Sequence, residues 1–203
     1  QKVNELTSYV FNAEPPKYND YFPSQINIAK AKRGEKLFLK SCKGCHGIYE
    51  KGWSSPSSNL SYKAQIQTTK VWYHKKTITV DVGTDPYRHR GMTYFANDLN
   101  RLKISKNMGT VVSPKKGYVP PPLVDIYARH RDLHNNSIPT LYDLLSADHK
   151  RPVTYIATPS QDKHLDFDRV RNGYPNPQDR KEPQRSDNKL FYYTLIAGMS
   201  NQG

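Results

Sequence analysis

The residues best suited to chemistry are two cysteines and a histidine in one short run, Cys42-Lys43-Gly44-Cys45-His46. Two thiols separated by two residues can bond to both vinyl groups of a porphyrin, and an adjoining neutral imidazole can coordinate the iron. This C-x-x-C-H spacing is the attachment signature of c-type haem. We therefore expect one covalent haem c on Cys42 and Cys45, with His46 as an axial iron ligand.

Two other uses of paired cysteines fit the surrounding sequence less well. A thioredoxin-like redox pair is expected near a βαβ pattern, whereas here a helical pattern precedes Cys42 and a segment rich in Ser and Gly follows His46. A zinc site needs further cysteines or suitably spaced histidines, and the chain contains no second C-x-x-C. Haem attachment is therefore the leading interpretation of the motif.

Residue type alone does not identify the sixth iron ligand. A methionine at this position raises the haem potential, a second histidine generally leaves it lower, and an open position permits reaction with oxygen or peroxide. The choice between electron transfer and catalysis therefore depends on this one ligand. The histidines and methionines available besides His46 are His74, His89, His130, His134, His149, His164, Met92, Met108 and Met199.

The element that must position the motif is a helix directly before it. Apolar residues between Ile28 and Ser41 recur at spacings that place them on one helical face, and Asn27 is suited to cap the start. Gly34 lies inside this helix, where glycine costs stability relative to alanine. A close approach of another helix would explain a glycine there.

Elsewhere the pattern predicts short helices separated by long loops. Residues 1–26 show neither helical nor strand periodicity and are expected to form an arm, with residues 27–203 as one haem domain. Helices are predicted at residues 93–102, 137–145 and 189–197, a short strand at 77–82, and loops at 47–70, 114–122 and 171–188.

The composition is unusually polar for a chain of this length. Hydrophobic residues make up 35% of the 203 residues, and the mean hydropathy is -0.85. A core built from side chains alone would be thin, and a buried haem would supply apolar mass. No apolar run reaches the roughly 18 residues that cross a bilayer. The sequence begins with Gln1 and not with a methionine, so we expect a mature, processed protein that works in the periplasm or outside the cell.

The charge is strongly basic, with 31 Lys and Arg against 18 Asp and Glu and a formal net charge of +13. The basic residues fall in short groups, and no nucleic-acid-binding motif accompanies them, so nucleic acid is not expected as a partner. Such a charge attracts anionic partners. We expect an acidic redox partner protein, with contact at a membrane surface as the alternative.

Two stretches resemble known haem proteins. The run from Ala31 to Phe38, followed by the haem motif, resembles the G-x-x-L-F opening helix of cytochromes c, in which Gly34 would let the first and last helices cross closely. The second resembles the C-terminal haem domain of dihaem proteins related to bacterial cytochrome c peroxidase, most closely the rubber-oxygenase-like cytochromes. Its motifs are Gly83-Thr84-Asp85-Pro86, Pro121-Pro122-Leu123, the run from Leu133-His134-Asn135-Asn136-Ser137-Ile138-Pro139-Thr140-Leu141 to Leu145, and Arg151-Pro152.

The chain departs from those relatives in three places. Asn136 replaces the usual glycine, Arg131-Asp132 replaces a proline-aromatic pair, and only one haem motif is present. Peroxidase and oxygenase chemistry in the relatives depends on their other haem domain. The resemblance therefore implies a haem domain without implying that chemistry.

The resemblance also implies where the sixth ligand lies. Gly198-Met199-Ser200-Asn201-Gln202-Gly203 looks like the approach to a G-H-E motif whose histidine would be the distal ligand in the rubber-oxygenase-like proteins. Either the sequence is incomplete at its C-terminus, or another residue takes that role. Met199 is the first candidate because it lies in the loop where the fold normally places a ligand. His134 is the second, although its family role resembles that of a pocket residue.

These observations predict a mainly α, cytochrome c-like fold with long loop insertions and room for one small β-hairpin. The leading function is that of a monohaem c-type cytochrome, an electron carrier that moves single electrons outside the cytoplasm and is not an enzyme. One alternative is a haem enzyme domain that activates peroxide or oxygen. Another is a structural subunit of a multi-haem assembly.

Overall fold

The computed structural model describes residues 2–14, 16–129, 131–156, 167–173 and 191–203. The chain forms two compact units. The first unit comprises residues 1–73 and 122–128, and the second comprises residues 74–121 and 129–203. The haem motif lies in the first unit, whereas His134 and Met199 lie in the second.

The first unit is built from short helices and one hairpin. Strands β1 and β2 pair antiparallel from Ile48 opposite Trp72 to Lys51 opposite Thr68, with an irregularity in register between Glu50 and Lys51. A 3-10 turn and a short helix lie between the two strands. The labelled elements are α1 (Lys2–Asn12), α2 (Tyr18–Tyr21), α3 (Ile28–Ser41), α4 (Lys43–His46), β1 (Ile48–Lys51), α5 (Tyr62–Ile66) and β2 (Thr68–Trp72).

Two expectations for this unit were wrong. Residues 2–12, expected to belong to an irregular arm, form the helix α1. Residues 47–70, expected to be loop, contain β1, α5 and most of β2, because cross-strand pairing stabilises residues whose local sequence is turn-rich. The first unit therefore contains a small β-hairpin, at a place where no strand was predicted.

The second unit begins with the longest helix of the described residues. This helix starts at Tyr87, earlier than the predicted residue 93, because Asp85 accepts a hydrogen bond from the Tyr87 amide at 3.0 Å and Pro86 precedes the first turn. The elements of this unit are α6 (Tyr87–Arg101), α7 (Lys103–Asn107), α8 (Leu141–Leu144), β3 (Thr154–Ile156) and β4 (Phe191–Tyr193).

The prediction of a closing helix at residues 189–197 was also wrong. Phe191–Tyr193 forms β4, which pairs antiparallel with β3 from Thr154 opposite Tyr193 to Ile156 opposite Phe191. Consecutive aromatic residues favour a strand when a partner strand is available, and this tertiary pairing overrides a helical pattern. The first two residues of the predicted helix lie outside the described residues.

Other elements are shorter in the structure than the sequence predicted. The strand predicted at 77–82 is reduced to one bridge between Val80 and Tyr118. The helix predicted at 137–145 is confined to Leu141–Leu144, where the Thr140 side chain accepts a hydrogen bond from the Asp143 amide. The loop predicted at 171–188 lies mostly outside the described residues.

The buried apolar residues of the described chain all belong to the second unit: Ala96, Ile138, Tyr155 and Phe167. Its core is otherwise polar, with Asp143 almost completely buried and paired with Arg171 at 2.5 Å. Among the described helices none is long and apolar enough to cross a membrane. Helices are the most frequent regular elements, which agrees with the predicted class, and two small antiparallel sheets accompany them.

Candidate haem-binding site

The haem motif follows directly from the end of helix α3. Asn27 caps the start of this helix by accepting a hydrogen bond from the Lys30 amide at 2.9 Å, as its residue type predicted. The helix ends at Cys42, whose amide donates to the Phe38 carbonyl at 2.8 Å. The first thiol is therefore carried at the end of a capped, fourteen-residue helix.

Both thiols and the imidazole lie on a single short turn. The Cys42 carbonyl accepts hydrogen bonds from the amides of Cys45 and His46, at 3.1 and 3.0 Å. Residues three apart in a helical turn lie on the same face, so the two sulfur atoms are neighbours. Both cysteines are half-buried thiols and form no disulfide. The geometry of α4 thus agrees with the arrangement that the C-x-x-C-H spacing requires.

Gly47 makes the sharp exit from α4 into β1. Its φ and ψ angles are 81° and -168°, a region in which essentially only glycine is stable. A Cβ atom at this position would lie 2.4 Å from the Trp72 carbonyl oxygen at the end of β2. Only glycine therefore lets the chain turn directly after His46 and enter the hairpin.

Tyr49 holds the backbone of His46 through a hydrogen bond. Its hydroxyl donates to the His46 carbonyl at 2.9 Å and accepts a hydrogen bond from the Leu123 amide at 2.6 Å. Its ring packs edge-on against Phe38 of α3, with the ring centroids 6.0 Å apart. Tyr49 therefore connects the helix that precedes the motif with the residue that follows the cysteines. Sequence reasoning did not single it out, because no local pattern marks this contact.

The first unit suits a large apolar cofactor. No apolar side chain among its described residues is buried, and large ones such as Val71 (42% exposed) and Trp72 (49% exposed) are open to solvent. A porphyrin attached at the two sulfur atoms would cover apolar surface of this kind, and the hydrophobic effect would stabilise the assembly. The donor set, two thiols and an imidazole, is also that of c-type haem. The residues present therefore fit the group.

His134 lies in a confined environment in the second unit. Its ring stacks on Tyr118 at 3.9 Å with an interplanar angle of 15°, and the ring of His89 meets the ring of Tyr118 edge-on at 5.5 Å. Nε2 of His134 is buried and has no hydrogen-bond partner among the described residues. Burial lowers the pKa of His134, so its imidazole is neutral near pH 7. A neutral ring is the form that coordinates metals.

Met199 lies in a turn close to the His134 segment. The Asn135 side-chain amide donates to the carbonyls of Gly198 and Ser200, at 3.2 and 2.9 Å, on either side of Met199. The two candidates for the sixth ligand therefore lie on adjacent segments of the second unit. His130 and His164, which were also considered, lie outside the described residues.

Arg151 is a second residue whose role was not foreseen. Its guanidinium, in a side chain that is almost fully buried, donates to five backbone carbonyls. Two belong to Asn201 and Gly203 of the C-terminal segment, and three lie at the end of α8 (Asp143, Leu144 and Ser146). Helix C-termini present unpaired carbonyls with partial negative charge, which favour a cation. Arg151 therefore ties residues 201–203 to α8.

Comparison with known proteins gives one match. Residues 117–156, 40 of the 203 in the chain, match the family model described as RoxA-like, cytochrome c-like. This segment contains Tyr118, His134, Asn135 and Arg151, and it does not include the haem motif. No curated protein and no solved structure matches. Over these residues the chain thus resembles the RoxA-like cytochromes c, as its motifs predicted, and this resemblance supports a haem-binding protein.

Proposed function

We propose that this chain is a monohaem c-type cytochrome that transfers single electrons outside the cytoplasm. The observation that carries the proposal is the arrangement of Cys42, Cys45 and His46 on one helical turn, held by the Cys42 carbonyl. The chain resembles cytochromes c, and its only two cysteines both lie in this motif. This combination favours haem attachment over any other use of the two thiols.

Each residue of the motif has a separate task in this proposal. Cys42 and Cys45 would form the thioether bonds to the porphyrin, and His46 would coordinate the iron. Gly47 and Tyr49 hold the backbone of His46 in place, through the tight turn and the hydrogen bond at 2.9 Å. When bound, the haem supplies a one-electron iron couple whose potential depends on axial ligands and burial.

The sixth ligand is proposed to be Met199, with His134 as the second candidate. Met199 is favoured by its place in the loop that the family resemblance points to. His134 is favoured by a fixed, neutral ring with a buried nitrogen. Because methionine raises the potential relative to histidine, redox titration of Met199→Ala and His134→Ala separates the candidates. Substitution of the residue that binds the iron should change the low-spin spectrum and the redox potential. Substitution of the other candidate should leave both unchanged.

The central test is covalent attachment. The intact purified protein is expected to weigh more than its polypeptide by one haem and to show a Soret band. Replacing both cysteines, Cys42→Ala with Cys45→Ala, should abolish the covalent mass, whereas Lys43→Ala within the same motif should keep it. A wild-type protein with the mass of its amino acids alone and no Soret band would contradict the proposal.

A visible spectrum separates electron transfer from catalysis. A carrier is expected to be low-spin when oxidised and unaffected by added cyanide or peroxide, because two side chains would coordinate the iron and leave no position for them. A high-spin ferric spectrum that changes with these ligands would instead indicate an enzyme that activates peroxide or oxygen. The proposed location, the periplasm or the cell exterior, is tested by fractionation of the native cells; recovery of the holoprotein with cytoplasmic markers would contradict it.

A further inference from the structure

Helix α3 carries a stripe of four cations, Lys32, Arg33, Lys36 and Lys40, which we name the α3 basic stripe. At 3.6 residues per turn these four positions fall within a sector of about 100° around the helix axis. All four side chains are exposed. Among the described residues no carboxylate forms an ion pair with any of them. The stripe is therefore a continuous, uncompensated positive surface in the first unit.

The one acidic residue of this helix does not neutralise the stripe. Glu35 lies outside the sector occupied by the four cations, and its Oε2 accepts a hydrogen bond from Nε1 of Trp53 at 2.8 Å. Leu37, which is 68% exposed, lies beside the stripe. An exposed apolar side chain bordered by charged residues is compatible with a protein–protein docking surface.

The stripe leads directly to the haem motif. Lys40 lies two residues before Cys42, and Lys32 lies ten residues before it, or about 15 Å along the helix axis. A partner bound along α3 would thus lie next to the residues that would carry the haem, Cys42 and Cys45. This inference rests on the function proposed above.

We propose that the α3 basic stripe is the docking surface for the acidic face of a redox partner protein. Complementary charge raises the rate at which such proteins meet, often by 10-fold or more at low salt. Nucleic acid is disfavoured because aromatic side chains, on which bases would stack, do not alternate with the cations of the stripe. A membrane surface is disfavoured because Leu37 is the one large apolar side chain that α3 exposes, whereas interfacial helices bury a broad apolar face.

The test uses the full-length holoprotein and a small acidic ferredoxin as the probe. One electron passes from the reduced iron–sulfur cluster, which is oxidised, to the ferric haem, which is reduced, and stopped-flow absorbance gives the second-order rate constant. The stripe variant is Lys32→Glu with Lys36→Glu. The matched control is Lys103→Glu with Lys106→Glu, on exposed positions of α7 in the second unit. Each pair lowers the formal net charge from +13 to +9, because every change replaces a positive with a negative charge.

The stripe variant is expected to react about 10-fold more slowly than wild type at low ionic strength, and the control less than about 3-fold more slowly. The difference should disappear in high salt, where charges are screened over about 3 Å. Lys and Glu have similar helix propensities, so α3 is expected to remain folded. If circular dichroism shows otherwise, Lys32→Gln with Lys36→Gln is compared with Lys103→Gln with Lys106→Gln.

Two results would overturn the docking proposal. Equal slowing in the stripe variant and the control would show that overall charge matters and the stripe does not. Stripe-dependent binding to phosphatidylglycerol vesicles or to a single-stranded oligonucleotide, without stripe-dependent reduction by the ferredoxin, would assign the stripe to a different partner. An absent Soret band in the wild type would instead refute the proposed function, so the two failures are distinguishable.

Discussion

Replacing Gly47 by alanine tests the idea that the turn after His46 positions the haem ligand. Gly44 provides a matched control, because it lies three residues earlier, inside the haem motif. Its φ angle is not positive, and a Cβ atom there would have no described neighbour within 4 Å. The same chemical change, glycine to alanine, should therefore have opposite consequences at the two positions.

The expected cost at Gly47 has two parts. A side chain in its φ and ψ region costs about 1–3 kcal/mol. The added Cβ would lie 2.4 Å from the Trp72 carbonyl oxygen, which belongs to the backbone of β2 and cannot rotate away, and such overpacking costs about 1–3 kcal/mol more. Gly47→Ala should thus destabilise the protein by about 2–6 kcal/mol, whereas Gly44→Ala in a helical turn should be neutral or stabilising by up to about 1 kcal/mol.

Two measurements on wild type and both variants give the answer. Denaturant unfolding followed by circular dichroism reports the difference in the free energy of unfolding, and the Soret absorbance per polypeptide reports haem incorporation. Gly47→Ala should lower both, because the hairpin and the backbone of His46 must move together. If the two variants differed by less than about 1 kcal/mol and carried equal haem, the turn would not be a constraint on the ligand and our reasoning would be wrong.

Three further predictions concern stability. Gly34→Ala should stabilise α3 by about 0.5–1 kcal/mol in thermal unfolding, because an added Cβ meets no described atom within 4 Å; a destabilised variant would indicate a contact at Gly34. Arg151→Met should lower the free energy of unfolding by at least about 2–4 kcal/mol, because it leaves buried carbonyls without a donor. Arg151→Lys should lower the free energy of unfolding less. Arg169→Met, at an exposed position, is the control and should have no effect. Burial, with smaller contributions from Tyr21, Asp125 and Asp20, raises the pKa of Tyr127 to about 12. The folded state therefore holds this proton more tightly than the unfolded chain, so stability should fall as the pH rises from about 10 through 12, and Tyr127→Phe should make that fall shallower; an identical slope would contradict the assignment.

Some features could be predicted because they depend only on residues close together in sequence. The C-x-x-C-H spacing sets the distance between two thiols and an imidazole within one turn, whatever the rest of the chain does. The helix from Ile28 to Ser41 and its Asn27 cap are likewise local, since they need only apolar periodicity and one side-chain oxygen. The family resemblance also came from short runs of sequence, and the match to residues 117–156 confirmed it.

The errors arose where distant partners compete with local preference. Phe191–Tyr193 has a helical pattern in isolation, but β3 offers strand hydrogen bonds from residues more than thirty positions away. The β1–β2 hairpin was missed for a similar reason, because the Gly- and Ser-rich segment between its strands has the composition of a loop. Gly34 was expected to allow the close approach of another helix, and a Cβ atom built there meets no described atom within 4 Å outside its own stretch of helix.

The sequence by itself determined which atoms are the candidates to hold a haem, because their chemistry and covalent spacing are local properties. Only the tertiary structure decided what holds those atoms and the candidate sixth ligands in place. Leu123 donates to Tyr49 from 74 residues away, and Asn135 reaches Gly198 and Ser200 across 63 and 65 residues. Hydrogen bonds of this range form only after the chain has folded, because loop closure must bring the donor to the acceptor, and no local pattern encodes them.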